Sequence, residues 1–317
     1  MLTNVLFYLV NVALAVVLVR LTLRARKSAR PAVKWMGVGF GALFSLVLIV
    51  VATAATRGLV RLHAPRGRPL RTDIAVERTP ERIARGQHIA AGWCAACHST
   101  NGSIPLSGSH NFSDEIGLPL GDLYAINLTP AGPVANWSDA EIFRAIREGA
   151  DNRRRRLPVM STQGVRNLSD DDIKSVIAFI RSQAPVQHET PGPRLTYLAA
   201  VMAGAGLLPF NPGMAPESIE APAAGPTAEY GKYMVGWMGC EECHGGNLTG
   251  GGGGILPKGP TLRTVKGWTR DGFIATMRTG KTPFGKQLDS LQMPWKTLGR
   301  ATDDELTAIH AYLASLQ

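Results

Sequence analysis

Two short motifs constrain this chain more than any other feature of its sequence. All four cysteines lie in them, at Cys94 to His98 (CAACH) and at Cys240 to His244 (CEECH). The pattern C-x-x-C-H is typical of haem c attachment, in which each thiol forms a thioether with a haem vinyl group and the histidine becomes the proximal iron ligand. The sequence therefore predicts two covalent haem c groups. The predicted attachment residues are Cys94, Cys97, Cys240 and Cys243, and the predicted proximal ligands are His98 and His244.

Three other uses of paired cysteines fit the sequence less well. A four-cysteine zinc site usually has its two C-x-x-C pairs about 15 to 20 residues apart, whereas 142 residues separate Cys97 from Cys240. A thioredoxin-type redox pair lies in a βαβ unit, and no such pattern surrounds either motif. Export disulfides do not require this spacing twice, each time followed by histidine. We therefore favour haem over these alternatives.

The two motifs lie in two copies of one module, residues 79–184 and 227–317. Before each motif comes a helical stretch with a glycine, Gly86 or Gly231, where we expect another helix to approach closely. After each motif, a segment from a tryptophan to a glycine has the same length in both copies, which predicts a helix that ends at the glycine. These segments are residues 137–149 and 268–280.

A closing helix follows in each module. Ser169 and Thr302 each precede an acidic residue by three positions, close to the capping-box arrangement that begins a helix. Apolar residues behind these caps correspond at a constant offset of 133, and their spacing is typical of a helix that covers a core. They are Val176, Phe179, Ile180, Ile309, Tyr312 and Leu313.

The same offset of 133 predicts the sixth ligand of each iron. Met160 is the one methionine in residues 79–184, and adding the offset gives Met293. A lone methionine is usually core filling, but both lie in proline-marked loops, a poor place for that role. A thioether opposite histidine raises the haem potential and fills the iron coordination. Met160 and Met293 are therefore the predicted distal ligands.

The other methionines and histidines of the modules favour packing or surface roles. Met234, Met238 and Met277 lie in helical patterns and are predicted to be core residues. The remaining histidines do not recur between the modules; they are His63, His88, His110, His188 and His310. The run Arg153–Arg156 favours a solvated face over a docking site. Gly250–Gly254 is typical of a flexible loop, because no Gly-Lys-Ser/Thr follows it.

The N-terminal segment contains two apolar stretches, residues 2–19 and 35–55. A membrane-spanning helix needs about 17 to 25 such residues, so both are predicted transmembrane helices. A cleaved signal peptide is the alternative for the first, but residues 1–4 lack the positive charge with which a signal peptide begins. Six basic residues and no acidic residue lie in residues 20–34, which suits a cytoplasmic loop beside anionic lipid.

The net charge of +10 comes largely from this loop. From residue 57 onward 28 basic residues stand against 24 acidic ones, which leaves only +4. Nucleic-acid binding needs a basic face with a reading element, and the sequence shows none, so we expect membrane lipid and redox proteins as partners and no nucleic acid. Because haem c is attached outside the cytoplasmic membrane, we expect the modules and both termini on the periplasmic side of a bacterial inner membrane.

Residues 126–130 (INLTP), Trp137, residues 144–149 and Met160 resemble the cytochrome subunits of bacterial membrane alcohol and gluconate dehydrogenases. The resemblance covers about residues 79–317 and implies tandem class I cytochrome c modules. Members of that family usually carry three haems and a different anchor. The layout of two helices before two modules is instead similar to the dihaem subunit of cbb-type haem-copper oxidases.

Together these features predict a mainly α protein with two transmembrane helices followed by two class I cytochrome c modules. The predicted function is electron relay by a membrane-anchored dihaem cytochrome in a respiratory or photosynthetic chain. A dihaem subunit of a terminal oxidase or other large complex is one alternative, and a dihaem redox enzyme such as a peroxidase, which needs an open iron position, is another. The predicted divisions are a membrane anchor (1–56), a tether (57–78), a first module (79–184), a linker packed over the modules (185–226) and a second module (227–317).

Overall fold

The computed structural model describes residues 2–208, 213–252 and 258–316. This part of the chain is largely helical, which confirms the predicted mainly α fold. The chain forms two compact units. The first comprises Met1–Ala64, Ser113–Leu123 and Pro193–Phe210, and the second comprises Pro65–Phe112, Tyr124–Gly192 and Asn211–Gln317.

Thirteen α-helices and two short strands are present in the described residues. In chain order the helices are α1 (Leu2–Ala25), α2 (Pro31–His63), α3 (Pro80–Ile89), α4 (Ala95–His98), α5 (Phe112–Ile116), α6 (Asp139–Glu148), α7 (Asp170–Ser182), α8 (Tyr197–Ala205), α9 (Ala228–Trp237), α10 (Cys240–His244), α11 (Arg270–Thr279), α12 (Trp295–Leu298) and α13 (Asp303–Ser315). The strands are β1 (Gly121–Asp122) and β2 (Arg194–Leu195). They pair antiparallel in the first unit, with Gly121 opposite Leu195.

The first unit begins with the two long apolar helices α1 and α2. Both are long and apolar enough to cross a membrane, by length and composition alone. They extend beyond the expected spans 2–19 and 35–55, and the connection between them shortens to residues 26–30. Arg20, Arg24 and Lys34, expected in a loop, lie within the helices, because arginine and lysine are good helix formers.

Helix α8, part of the predicted linker, packs on α2 within this unit. The helices touch where they carry glycine: a Cβ atom on Gly58 would lie 1.7 Å from the Ala200 carbonyl oxygen, and one on Gly204 would lie 1.7 Å from the Ala54 carbonyl oxygen. For this segment the structure differs from the expectation that the linker packs over the modules. Small residues allow a backbone contact that larger side chains would prevent. The end of the same apolar stretch, residues 209 and 210, lies outside the described residues.

In the second unit, each module is built on the crossing of its first and closing helices, α3 with α7 and α9 with α13. The close approach expected at the two glycines is confirmed. A Cβ atom on Gly86 would lie 1.8 Å from the Ser175 carbonyl oxygen, and one on Gly231 would lie 1.9 Å from the Ala308 carbonyl oxygen. The two contacted residues are 133 positions apart, which is the offset of the repeat. Both modules therefore use the same helix crossing.

The predicted helix ends are also confirmed. The Ser169 hydroxyl accepts a hydrogen bond from the backbone three residues on, and Thr302 and Glu305 form a complete capping box. Helices α6 and α11 end at Gly149 and Gly280, with φ of 64° and 73°. Glycine adopts this left-handed conformation without a Cβ clash.

The two modules share one hydrophobic core. Ile89 and Phe179 of the first module belong to the same buried cluster as Leu306 of the second. The rings of Trp93 and Trp237 meet edge to face across the boundary, with centroids 6.3 Å apart and planes at 82°. The three methionines predicted to be core residues are buried in this unit; they are Met234, Met238 and Met277.

The boundary between the modules has approximate two-fold symmetry. Residues of α3 correspond to residues of α9 that lie 145 positions later. Each residue of α7 corresponds to the residue of α13 that lies 133 positions later. His88 Nε2 lies 2.7 Å from Glu305 Oε2, and at the corresponding positions the Tyr233 hydroxyl donates to Asp172 Oδ2 at 2.6 Å. Each pair joins a first helix to the closing helix of the other module.

A second pair of contacts follows the same relation. The Arg300 guanidinium donates to the Ala91 carbonyl oxygen at 2.5 Å, and the Asn167 amide donates to the Gly236 carbonyl oxygen at 3.2 Å. The donors Arg300 and Asn167 are 133 positions apart, and the acceptors Ala91 and Gly236 are 145 positions apart. The modules therefore pack as an isologous pair, in which the same surface is used by both partners.

Candidate haem-binding sites

Both attachment motifs lie where the first helix of a module ends. In the first module a π-helical turn, Ala90–Cys94, joins α3 to α4. In the second module α9 ends at Trp237, and the chain turns through Gly239, at φ 74°, before α10. The motifs are 146 residues apart, one more than the helices before them, so each module reaches its motif through a different backbone turn.

The cysteines of the motifs are half-buried. Burial raises the pKa of Cys94 to about 12 and that of Cys240 to about 12. It also raises the pKa of Cys243, to which the neighbouring Glu242 carboxylate adds. Before haem attachment, burial therefore favours the neutral thiol at these three side chains.

Both motif histidines are oriented by a backbone carbonyl. His98 Nδ1 lies 2.9 Å from the Ile126 oxygen, and His244 Nδ1 lies 2.7 Å from the Pro260 oxygen. A carbonyl only accepts, so Nδ1 carries the proton, and Nε2 carries the lone pair that a metal binds. Burial lowers the pKa of His98, which keeps that ring neutral. The two sites thus present the same tautomer of the same ligand.

The loops after the two motifs share a turn that the sequence analysis did not predict. Gly108 N donates to the His98 carbonyl oxygen and Gly250 N donates to the His244 carbonyl oxygen, each at 2.8 Å. Gly108 and Gly250 have φ of 81° and 95°, and the residue after each also has a positive φ. The predicted loop Gly250–Gly254 therefore begins with a defined turn, while residues 253 and 254 lie outside the described residues.

Met160 and Met293 lie at equivalent places, after the helix that ends in a left-handed glycine. The residue after Met160 packs against Gly149, and Trp295, two residues after Met293, packs against Gly280. Both methionines are half-buried against the core. This equivalence supports the pairing of the two methionines by the repeat. Their binding to iron stays a prediction.

Asn127, in the INLTP segment, is fully buried and bonded through both ends of its amide. Its Nδ2 donates to the Val186 oxygen at 2.8 Å and to the His188 oxygen at 3.1 Å, and its Oδ1 accepts from Thr129 N at 2.9 Å. The residue before it supplies the carbonyl that orients His98. The sequence analysis used this segment only for its resemblance. The sequence signal that could have indicated this role is the asparagine itself, because an asparagine side chain often accepts a hydrogen bond from the backbone N–H two residues later.

A polar cluster joins the modules beside the shared core. We call Arg85, His88, Asp172, Tyr233 and Glu305 the inter-module cluster. The Arg85 guanidinium donates to both carboxylate oxygens of Asp172, at 2.8 and 3.0 Å, and to Glu305 at 3.0 Å. Burial opposes ionisation of Glu305, but hydrogen bonds from His88, the helix N-terminus and Arg85 outweigh it and hold its pKa at about 2. His88, for which the sequence favoured a packing or surface role, lies half-buried in this cluster and bonds Glu305.

The residues present fit a haem c in each module. Each motif supplies two half-buried thiols and a buried imidazole whose Nδ1 is already bonded to a carbonyl, which leaves Nε2 for iron. Each module also has a thioether at an equivalent loop position. This donor set is that of c-type haem.

Family models match the two modules separately. The model described as cytochrome c oxidase, cbb3-type, subunit III matches residues 81–180, and the model described as cytochrome c matches residues 228–317. The chain is therefore a tandem c-type cytochrome with two cytochrome c domains. Such domains carry covalent haem c and transport electrons, so the prediction of two haem c groups is confirmed.

Three curated relatives are subunits of dehydrogenases. Identity is 28% to a nicotinate dehydrogenase subunit of Pseudomonas putida, over 90% of this chain and 25% of that protein. It is 27% to the gluconate 2-dehydrogenase cytochrome c subunit of Pantoea cypripedii, over 74% and 59% of the two chains. Identity is 31% to the fructose dehydrogenase cytochrome subunit of Gluconobacter japonicus, over 45% of this chain and 29% of that protein. The chain thus spans between a quarter and about three fifths of these relatives, and its resemblance to dehydrogenase cytochrome subunits is confirmed.

Proposed function

We propose that this chain is a membrane-anchored electron-transfer subunit of a dehydrogenase complex, with both haem modules on the periplasmic side of a bacterial inner membrane. Haem iron supplies a one-electron redox centre when bound. The chain would attach each haem through two cysteines and would hold its iron with a histidine and a methionine. The proposed residues are Cys94, Cys97, His98 and Met160 for the first haem and Cys240, Cys243, His244 and Met293 for the second.

The duplicated site carries this proposal. Both modules orient the motif histidine with a carbonyl, follow it with the same turn and place a methionine at an equivalent loop. The modules also share one core, which holds the two sites in a fixed arrangement. With a histidine and a methionine held ready in each module, the chain would leave no open iron position for a substrate, which suits a relay more than a peroxidase.

The proposed distal ligands are tested by Met160→Ala and Met293→Ala. Loss of the thioether opens one coordination position, so each variant should lose the sulfur-to-iron charge-transfer band of one haem. The potential of that haem should fall, and it should bind carbon monoxide when reduced. Absorption spectra and a redox titration of the purified full chain measure all three effects.

Met214→Ala is the matched control, because this methionine lies in the linker and is exposed. It should leave both haems unchanged. If Met160→Ala or Met293→Ala also leaves its haem spectrum and carbon monoxide resistance unchanged, that methionine only packs, and another residue is the ligand.

The proposed topology places α1 and α2 across the membrane, with residues 26–30 and the adjoining basic residues on the cytoplasmic side against lipid headgroups. Helix α2 has 33 residues and is about 50 Å long, so it exceeds a hydrocarbon core of about 30 Å. Reporter fusions after Lys27 and after Gln317 should report opposite compartments. The same compartment for both would contradict a two-span anchor. The divisions at 1–56, 57–78, 79–184, 185–226 and 227–317 belong to the same proposal.

A subunit of a terminal oxidase is the second candidate. The family model that matches the first module is described as an oxidase subunit, and this observation favours it. Copurification after mild detergent extraction separates the candidates, because a dehydrogenase partner oxidises a small organic substrate whereas an oxidase partner consumes oxygen.

A further inference from the structure

Helix α8 runs antiparallel along the end of α2, within the first unit. The two glycine contacts set this direction: a Cβ atom on Gly58 would meet the Ala200 carbonyl oxygen, and one on Gly204 would meet the Ala54 carbonyl oxygen. Residue numbers therefore rise along α8 as they fall along α2. This register carries the C-terminal end of α8 back to the apolar stretch 35–55 of α2.

The start of α1 lies at the same end of this unit. The Thr56 hydroxyl donates to the Tyr8 hydroxyl oxygen at 3.2 Å, and the Phe7 ring stacks on that of Tyr197, with centroids 6.2 Å apart. Tyr197 is the first residue of α8. Tyrosine side chains are typical of the boundary between hydrocarbon and headgroups. In the proposed topology, the start of α8 therefore lies at the periplasmic boundary of the membrane.

Apolar side chains stay exposed on the inner side of this boundary. Leu14 of α1 and Val50 of α2 each lie six residues inward of the Tyr8–Thr56 contact and are 50% and 58% exposed. Leu207, which follows α8, is 60% exposed, and residues 195–216 contain no charged residue. The apolar surface of the two long helices thus continues onto the end of α8, and an exposed apolar patch marks an interaction surface.

Three hydrogen bonds close the C-terminal end of α8. Gly206 N donates to the Ala203 carbonyl oxygen at 3.3 Å, and Leu207 N donates to the Met202 carbonyl oxygen at 2.9 Å, which is the Schellman arrangement. The Arg61 guanidinium of α2 also donates to the Ala203 oxygen, at 3.0 Å. Hydrocarbon offers backbone groups no partner, so a chain enters it only where such bonds are made internally. The end of α8 is therefore suited to an apolar surrounding.

We propose that α8 dips into the outer leaflet of the membrane beside α1 and α2, with lipid acyl chains covering Leu207 and the exposed face of the helix. The proposal rests on the two-span anchor given above and adds a third membrane element. Lipid fits this surface better than a second protein does, because the surface continues that of the two proposed spans and offers no charge for selecting a partner. The chain would then be held to the membrane at two points, before the first module and between the modules.

The test uses the full-length protein with both haems bound, in nanodiscs of phosphatidylethanolamine and phosphatidylglycerol. One phospholipid carries a diazirine midway along an acyl chain; light turns it into a carbene that inserts into neighbouring side chains, and peptide mass spectrometry locates the insertion. Leu207 should be labelled within about threefold of Val50, which is equally exposed, and about tenfold more than Leu291, an 89% exposed leucine of the second module. A water-soluble diazirine should reverse the order of the two leucines.

A matched pair of variants tests the depth of α8. Leu207→Glu puts a carboxylate where the proposal puts acyl chains, and ionisable groups are costly in hydrocarbon. The acyl-chain label on residues 198–205 should therefore fall about fivefold, while that on Val50 stays unchanged. Leu291→Glu is the control and should change neither label. A wild-type label on residues 198–205 in Leu207→Glu would contradict the proposed depth.

The outcomes separate this proposal from the anchor on which it rests. Leu207 labelled only by the water-soluble probe, with Val50 labelled by the acyl chain, overturns the membrane role of α8 and leaves the two-span anchor intact. Val50 without acyl-chain label overturns the anchor itself. Leu207 labelled by neither probe would show that protein, such as a second copy in the same disc, covers this face, which also overturns the proposal.

Discussion

At the scale of single residues, the carbonyls that face His98 and His244 determine how these rings are presented. Each carbonyl accepts from Nδ1, at 2.9 and 2.7 Å. A bonded Nδ1 fixes the ring plane and the tautomer, so the imidazole does not need to reorganise when Nε2 binds iron. The residues that hold the two carbonyls in place therefore determine the orientation of both imidazoles.

Asn127→Ala should destabilise the first module. The substitution removes two hydrogen bonds to the start of the linker and leaves Thr129 N buried without its acceptor. A buried polar group left unsatisfied costs about 1 to 3 kcal/mol. We expect the free energy of unfolding to fall by about 2 kcal/mol and the potential of the first haem to shift, because the carbonyl beside Asn127 loses its support. Urea titration and a redox titration of the full chain measure the two effects.

Two further variants make this prediction specific. Asn127→Asp keeps the acceptor for Thr129 but buries a carboxylate oxygen against the Val186 and His188 carbonyl oxygens, so at pH 7 it should cost more than Asn127→Ala, and this excess should shrink as the pH falls and the carboxyl takes up a proton. Thr261→Ala changes the equivalent position of the second module, where the side chain is half-buried and makes a longer bond of 3.3 Å; its cost should be smaller. A potential of the first haem that does not move in Asn127→Ala would show that the amide only stabilises the loop.

At the scale of elements, the sequence predicted what short segments determine by themselves. Ser169 and Thr302 begin helices because capping depends on residues a few positions away. Gly86 and Gly231 mark helix crossings because a glycine within a helix allows another backbone to approach, whichever segment that backbone belongs to. The turn at Gly108 and Gly250 was not predicted, since its partners lie ten and six residues before it, at the motif histidines. The helix at 197–205 was identified as apolar, but its packing on α2 depends on Ala54 and Gly58, which lie more than 140 residues before the residues they meet.

The contact of α3 with α13 predicts a dependence of stability on pH. Folding lowers the pKa of Glu305 from 4.5 to about 2, so its ionised carboxylate stabilises the folded chain above pH 4.5, and this contribution is lost as the pH falls toward 2. A pKa unit corresponds to about 1.4 kcal/mol, and partial solvent screening leaves a contribution on the order of 2 kcal/mol. Glu305→Gln should therefore be less stable at pH 7, and the difference from wild type should narrow between pH 5 and pH 3.

Asp304→Asn is the control, since this exposed carboxylate lies in the same helical turn. It should change the free energy of unfolding by less than about 0.5 kcal/mol at either pH. Denaturant titrations at several pH values measure the free energy of unfolding of wild type and of both variants. A difference between Glu305→Gln and wild type that stays constant down to pH 3 would contradict the lowered pKa.

At the scale of the whole molecule, composition and repeat were enough to predict an apolar N-terminal part and two equal modules. They were not enough to assign the segments between them. Residues 113–123 and 193–208 belong to the compact unit of the apolar helices, although residues 113–123 lie inside the predicted first module. The pairing of β1 with β2 joins segments about 70 residues apart, and two-residue strands leave no periodicity in a sequence.

The near two-fold boundary between the modules has a consequence for the direction of electron flow. Two identical sites related by a two-fold axis have equal potentials, and an electron has no preference between them. In this chain each contact across the axis has a counterpart of different chemistry: imidazole to carboxylate in His88–Glu305, but phenol to carboxylate in Tyr233–Asp172. When both modules lie in one chain, a substitution changes one copy of a contact and leaves the other, whereas in a homodimer every substitution changes both copies. The fused pair thus keeps the fit of a symmetric dimer, while the contacts around its two sites differ in chemistry.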